Sequence, residues 1–328
     1  MNAYIEIESL RSLISQRNDA RYDECLRMLK RNLNLNFSFS RAEAMADPAI
    51  QSWLIGLTSG IALKSGVIAK KPNWDCNYPD PEEEFSLDEI NNIDQLCAVY
   101  LLDDEKPQNL SKAMFIGNLG HELDTLMKLF VVPEEASFEY KFSVSRMTSW
   151  NEMKPYVTPC TDLLIVDRYI LSRASLLERN LYRLIKIFVS QTKSLQINIV
   201  IVVEFGSIDS VSLEDISERI KAFVEDIVGE EPFVTFVLCK KQFQKALYHD
   251  RCILTNYRYV DSGDSLNYFT ERGELKTGGF KLSISSLANP SDYIQRIIDK
   301  EVLFRIRNEV KGAVNIIGDK KSNFLTFR

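Results

Sequence analysis

Ile197-Asn198-Ile199-Val200-Ile201-Val202-Val203 is the stretch on which the fold of this chain turns. All of its residues but Asn198 are apolar and β-branched, with no alternation of apolar and polar positions. A strand with one wet face alternates with period two, so a near-continuous run belongs in a sheet covered on both faces. Two similar runs flank it. Leu163-Leu164-Ile165-Val166 comes before, and Phe233-Val234-Thr235-Phe236-Val237-Leu238-Cys239 after. The intervals have helical spacing. Leu177, Leu181, Leu184, Ile185 and Phe188 share one face between the first two runs. Ser212 and Asp215 form a capping pair before Ile216, Ile220, Phe223, Val224 and Ile227. The order βαβαβ predicts adjacent, mostly parallel strands.

Outward from this core, residues 252–255, a segment near Tyr268 and residues 281–285 read as shorter strands, and 292–310 as a helix. On the N-terminal side, residues 7–14 and 22–33 have helical spacing. Leu33, Leu35, Phe37 and Phe39 alternate with polar residues as in a half-buried strand. Ser40 is a helix cap, and Pro48 suits the first turn of a helix over 50–63. Residues 72–81 read as loop, 96–102 as a strand, 110–130 as a long helix, and Phe138, Tyr140 and Phe142 as a strand. The chain is therefore an α/β protein with a boundary at 148/149. Residues 1–148 form an acidic mixed α/β domain, and 149–328 form a second domain with a mixed, mostly parallel sheet flanked by helices.

Composition bounds the function. The 328 residues are 45% hydrophobic and 26% charged, with net charge −6. That excludes disordered, collagen-like and disulfide-dense classes. The longest apolar run, 197–205, is too short to cross a bilayer and contains Asn198 and Glu204. Residues 1–11 lack the basic-then-apolar order of a signal peptide, so a cytoplasmic protein is expected. Cys25, Cys76, Cys97, Cys160, Cys239 and Cys252 include no CxxC pair, and His121 and His249 are the only histidines. Neither a metal site nor a cofactor is expected, and the cysteines read as small buried hydrophobes. Charge is uneven: residues 1–150 carry net −8 and residues 151–328 net +2. An acidic run between Asp75 and Glu105 repels phosphate backbones, so nucleic acid would meet only the C-terminal half.

The chemistry lies in residues 248–269. His249-Asp250-Arg251 is followed four residues later by Asn256, then by Gly263 and Ser265. This resembles the phospholipase D signature His-x-Lys-x4-Asp with a later Gly-Ser. Its closest resemblance is to the C-terminal phospholipase-D-like domain that follows microtubule-interacting and transport (MIT) domains. There a strand ends in Asp-Pro-Tyr-Ile, an Asn opens the next helix, and His-Asp-Arg follows some eighty residues later. Here the corresponding residues are Asp167-Arg168-Tyr169-Ile170, then Asn180, then His249 to Arg251, with residues 263–269 closing the pattern. Residues 1–150 do not resemble a three-helix MIT domain.

The resemblance implies a site built from His249, Arg251, Asn256 and Ser265, with Asp167 and Asn180 as ligand-binding positions. Arg251 stands where the active enzymes have Lys, and Asn256 where they have Asp. Arg keeps a cationic fork suited to phosphate, whereas Asn cannot act as a carboxylate. One histidine cannot be nucleophile and leaving-group acid in the same step. Lys240, Lys241, Lys245 and Arg258 surround the motif, interleaved with Tyr248, Tyr257, Tyr259 and Tyr268, as in phosphate or single-stranded nucleic-acid sites. Glu139-Tyr140-Lys141, with Glu122 and Asp124 upstream, has the letters of a metal-dependent nuclease, but an exposed strand face gives the same letters.

The expectation is a non-catalytic binding module for a phosphate-bearing ligand or a partner protein. Its joining to an unfamiliar acidic domain resembles accessory or effector proteins of prokaryotic antiviral defence systems. The alternative is a metal-independent phosphodiesterase or nuclease, assembled as a homodimer that pairs two copies of His249.

Overall fold

The computed structural model describes residues 2–58, 71–77, 98–101, 114–116, 119–130, 137–141, 144–145, 147–192, 196–208, 212–240, 251–276, 280–287 and 293–327. The chain is a mixed α/β protein that divides into two compact units. One comprises Met1–Phe85, Asp94–Val131 and Leu287–Tyr293; the other comprises Ser86–Ile93, Val132–Ser286 and Ile294–Arg328. No helix among the described residues is long and apolar enough to cross a membrane.

The first unit holds a parallel sheet in the order β2-β1-β3-β4, formed by β1 (Asn2–Ile5), β2 (Asn34–Phe37), β3 (Val99–Leu101) and β4 (Met114–Ile116). Helices α1 (Ile7–Ser15) and α2 (Ala20–Asn32) connect β1 to β2. Ser40 and Glu43 make a reciprocal capping box on α3 (Arg41–Ala46), and Pro48 is the first residue of α4 (Pro48–Thr58), both as the sequence indicated. Two elements differ from expectation. The short apolar run of β1 is an interior strand of the sheet. The helix expected over 110–130 is only its second half, α5 (Leu119–Phe130), because Met114–Ile116 pairs with β3 instead. Gly117 and Gly120 make a continuous helix there costly.

The second unit is built on the three apolar runs. They form β7 (Asp162–Val166), β8 (Asn198–Glu204) and β9 (Phe233–Cys239), adjacent and parallel, with Val166 opposite Val202 and Val202 opposite Val237. Successive residues of each are buried, which is why the sequence shows no alternation. α6 (Leu181–Val189) and α7 (Leu213–Val228) supply the crossovers. Ser212 caps α7 through the N–H of Asp215, and Gly229, at φ +88°, ends it in the left-handed conformation that glycine adopts without strain.

Among the described residues the sheet continues antiparallel, in the order β13-β9-β8-β7-β10-β11-β12-β5-β6. The added strands are β5 (Ser137–Lys141), β6 (Val144–Ser145), β10 (Arg251–Thr255), β11 (Arg258–Ser262), β12 (Phe280–Ser286) and β13 (Asn315–Gly318), the last entered from α8 (Tyr293–Lys311). The strand read near Tyr268 is instead β11, ten residues earlier. Tyr268 belongs to a segment whose next residue, Phe269, forms only an isolated bridge to Leu275. β5 pairs with β12 and so belongs to the second unit.

A polar network closes the N-terminal end of β7. Asp162 is fully buried, and its carboxylate accepts hydrogen bonds from the Asn323 N–H (2.8 Å), Asn323 Nδ2 (2.6 Å), Asn198 Nδ2 (3.2 Å) and the Thr161 hydroxyl (3.2 Å). Burial outweighs these donors and pushes its pKa up to about 6. A carboxyl raised above its unfolded value favours the folded chain most in the protonated form. That contribution is fully present below the ordinary carboxylate range and is lost as pH rises through about 6. Urea unfolding between pH 4 and pH 7 therefore shows stability falling by roughly 2 kcal/mol from this group, and Asp162→Asn flattens that fall.

Candidate functional site

Ligands of open α/β sheets sit at the carboxyl ends of the parallel strands, and the motif residues converge at that end of β7. Asp167 follows Val166 and is fully buried. Its N–H continues the ladder by donating to the Val202 carbonyl (3.1 Å). Its carboxylate accepts the Tyr169 N–H (2.9 Å), the Ser265 hydroxyl (2.9 Å) and the Leu266 N–H (2.6 Å). β10 runs antiparallel to β7 with Cys252 opposite Val166, which places Arg251 at the same end of the sheet. Burial raises the Asp167 pKa; the three donors and the Arg251 charge oppose it.

Arg251 is largely covered and donates through Nη1 to Asp264 Oδ1 (3.1 Å). The same oxygen accepts the Ser265 N–H (2.8 Å), so Asp264 fixes both the guanidinium and the turn carrying Ser265. Two further cations join them. Lys276 is partly buried, and its ammonium makes no hydrogen bond or ion pair among the described residues. Its pKa is lowered first by burial and then by the charge of Arg173, while Asp264 and Asp167 pull the other way. Arg173 is exposed on the turn after β7. At the rim, Arg168 pairs with Glu204 at the end of β8 and lies over the Tyr169 ring at 4.8 Å. Exposed Phe205 and Lys240 follow β8 and β9.

No protein-family model matches this chain, and no curated protein matches it.

Of the residues read from sequence, Asp167, Arg251 and Ser265 are brought together, and Lys240 lies at the same end of the sheet. His249, Lys241 and Lys245 lie outside the described residues. Three others are elsewhere or committed. Asn256 follows the last residue of β10, at its opposite end. It is fully buried there, accepting the N–H groups of Thr161 (2.9 Å) and Asp162 (3.1 Å) and donating to the Thr161 hydroxyl (3.1 Å). Arg258 is 2% exposed and donates to the Tyr156 (2.8 Å) and Tyr257 (3.3 Å) carbonyls, with a pKa pushed down by burial to about 9. Asn180 precedes α6 in a fully buried position, and its side chain does not cap the helix. It donates to the Leu176 and Phe269 carbonyls and accepts the Phe269 N–H, so no polar atom is left for a ligand.

Reading the sequence missed Arg173 and Lys276, which belong to no motif. The one usable signal for Lys276 was Gly273, whose φ of +83° allows the tight turn that brings Lys276 back beside Tyr268. Elsewhere, Glu139 and Lys141 lie on β5 in the second unit, whereas Asp124 lies on α5 in the first, which also carries His121. Cys25, Cys160 and Cys239 are buried thiols pushed up to about 12, so they are unreactive at neutral pH.

The geometry makes Asn256 a structural staple. Asn256→Ala leaves the buried backbone N–H groups of Thr161 and Asp162, at the start of β7, without acceptors and costs about 2 kcal/mol or more of stability, read by urea denaturation. Asn256→Asp, which keeps the acceptor, costs less. Neither change alters phosphate binding under conditions where the variant is folded.

Proposed function

We propose that the second unit is a non-catalytic, phospholipase-D-like binding module that holds a phosphate-bearing ligand between Arg251, Lys276 and Arg173. The observation that carries this reading is the Lys276 ammonium, partly withdrawn from water beside a second cation with no ion pair of its own. Such an arrangement costs free energy unless an anion joins it. Three cations face two carboxylates, and Asp167 spends its carboxylate on three donors, which leaves a positive balance suited to a monoanion such as a phosphodiester. Arg251 gives the planar fork for its oxygens, Lys276 gives a point charge, and Asp167 positions the Ser265–Leu266 turn.

The phospholipase-D-like part of the reading is supported by the order of elements. Three parallel strands are followed by an antiparallel return strand whose first residue is the motif cation. Absence of catalysis is expected because each chain carries a single copy of the motif, and one histidine cannot serve as both nucleophile and leaving-group acid in the same step.

Titration calorimetry with bis(4-nitrophenyl) phosphate tests this. Arg251→Ala and Lys276→Ala each weaken binding roughly tenfold, and His249→Ala weakens it less. The wild-type chain hydrolyses the same diester no faster than buffer in the absence of metal. A robust metal-independent hydrolysis abolished by His249→Ala, in a species that light scattering shows to be a dimer, overturns the reading in favour of the paired-His249 enzyme.

A further inference from the structure

A second concavity in the same unit has a different chemistry. It is lined by Thr148, Ser149, Trp150 and Asn151, by Arg179 and Arg183, and by Phe269 and Gly273, and it encloses ≈ 380 Å³ of empty space, part of it open to solvent. None of these residues belongs to the Arg251 cluster, and none is acidic.

Arg179 lies in the turn before α6 and Arg183 in the helix's first turn, and both guanidinium side chains line the cleft. The neighbouring carboxylates do not relieve them. Glu152 accepts the Thr148 N–H (2.7 Å) and hydroxyl (2.5 Å), and Glu178 pairs with Arg219 (2.5 Å). Arg183 is exposed, and its guanidinium has no hydrogen bond or ion pair among the described residues. Arg179 is held in place by donating Nε–H to the Glu271 carbonyl (3.1 Å), which leaves its two Nη groups available. It also lies over Gly273, where an added Cβ would sit 3.8 Å from the guanidinium carbon. The Ser149 oxygen accepts the Asn151 N–H (3.0 Å), so its own proton is free to be donated. Trp150 and Phe269, 2% and 3% exposed, back the site with apolar surface, which strengthens electrostatic interactions near it.

We propose that this cleft is a second anion site, independent of the Arg251 cluster, that takes the dianionic phosphate of a phosphomonoester. Two guanidinium forks with no lining carboxylate match two negative charges, and the Ser149 hydroxyl supplies a further donor to a phosphate oxygen. The opening leaves room for a few atoms of the group esterified to the phosphate.

The test is calorimetry on the full chain with inorganic phosphate and with methyl phosphate. The wild type binds both, more tightly as pH rises through about 6, where the phosphate takes its second charge. Arg183→Ala, at an exposed position with no partner to lose, weakens binding roughly tenfold. Arg179→Lys, which keeps the charge but not the fork, also weakens it, and Arg251→Ala leaves it unchanged. The proposal fails if Arg183→Ala and Arg179→Lys bind phosphate like the wild type, if Arg251→Ala abolishes binding, or if the wild type binds neither probe at millimolar concentration. The Arg183→Ala and Arg179→Lys results do not bear on diester binding at Arg251.

Discussion

The Asp167 carboxylate is the constraint around which the second unit's functional end is arranged. It is fully buried at the mouth of a parallel ladder, where an uncompensated charge would be prohibitive. Compensation comes from three directions: the Tyr169 N–H of its own turn, and the Ser265 hydroxyl and Leu266 N–H of a segment about a hundred residues away in sequence. Because a buried acceptor of this kind must keep its donors, the 264–266 turn cannot drift from the end of β7. Asp264 in that turn then holds Arg251. The position of the candidate ligand-binding cation is thus set by the need to satisfy one buried carboxylate.

Strand geometry separates what binds from what braces. A strand rises about 3.3 Å per residue, so Asn256, five residues after Arg251, lies about 16 Å along β10. It meets the start of β7, where Thr161 and Asp162 need acceptors, just as Arg251 meets the end of β7, where Asp167 sits. A motif that is compact on paper is therefore divided between the two ends of one strand, Arg251 at one end and Asn256, packed with Asp162, Asn198 and Asn323, at the other. Arg258 follows the same logic. Its position two residues beyond Asn256 directs it into the interior, where carbonyl oxygens rather than anions take its protons.

This explains what could be read from the sequence. The inner strands were legible because burial on both faces removes the alternation that an edge strand shows. β1, β4 and β13, of three or four residues each, are too short to show a period, and their pairing is decided by neighbours far away in sequence. Asp167, Arg251 and Ser265 were found through a motif, but the motif could not say which of its members share an end of the sheet. Lys276 and Arg173 carry no pattern at all. Their significance arises from proximity created by the 270–276 turn, as does the pairing of Arg179 with the Glu271 carbonyl.

That turn also links the two proposed anion sites. Thr270 donates its N–H to the Glu274 carbonyl, Gly273 to Thr270, and Lys276 to Tyr268, which makes residues 268–276 a closed hairpin. Lys276 faces one cluster and Gly273, under the Arg179 guanidinium, borders the other. The hairpin is anchored on one side through Asp167, which holds the preceding turn, and on the other through Asn180, which brackets Phe269 with a donor and an acceptor. The Arg251 and Arg179 groups are thereby held by Asp264 and by a backbone carbonyl before any ligand arrives. Holding them so lowers the ordering cost that binding would otherwise carry. The strip has a mixed-charge cluster on one flank and a cationic cleft on the other, so the two proposed sites would differ in the charge they favour: the cluster retains two carboxylates that disfavour a dianion, and the cleft has none among the residues that line it.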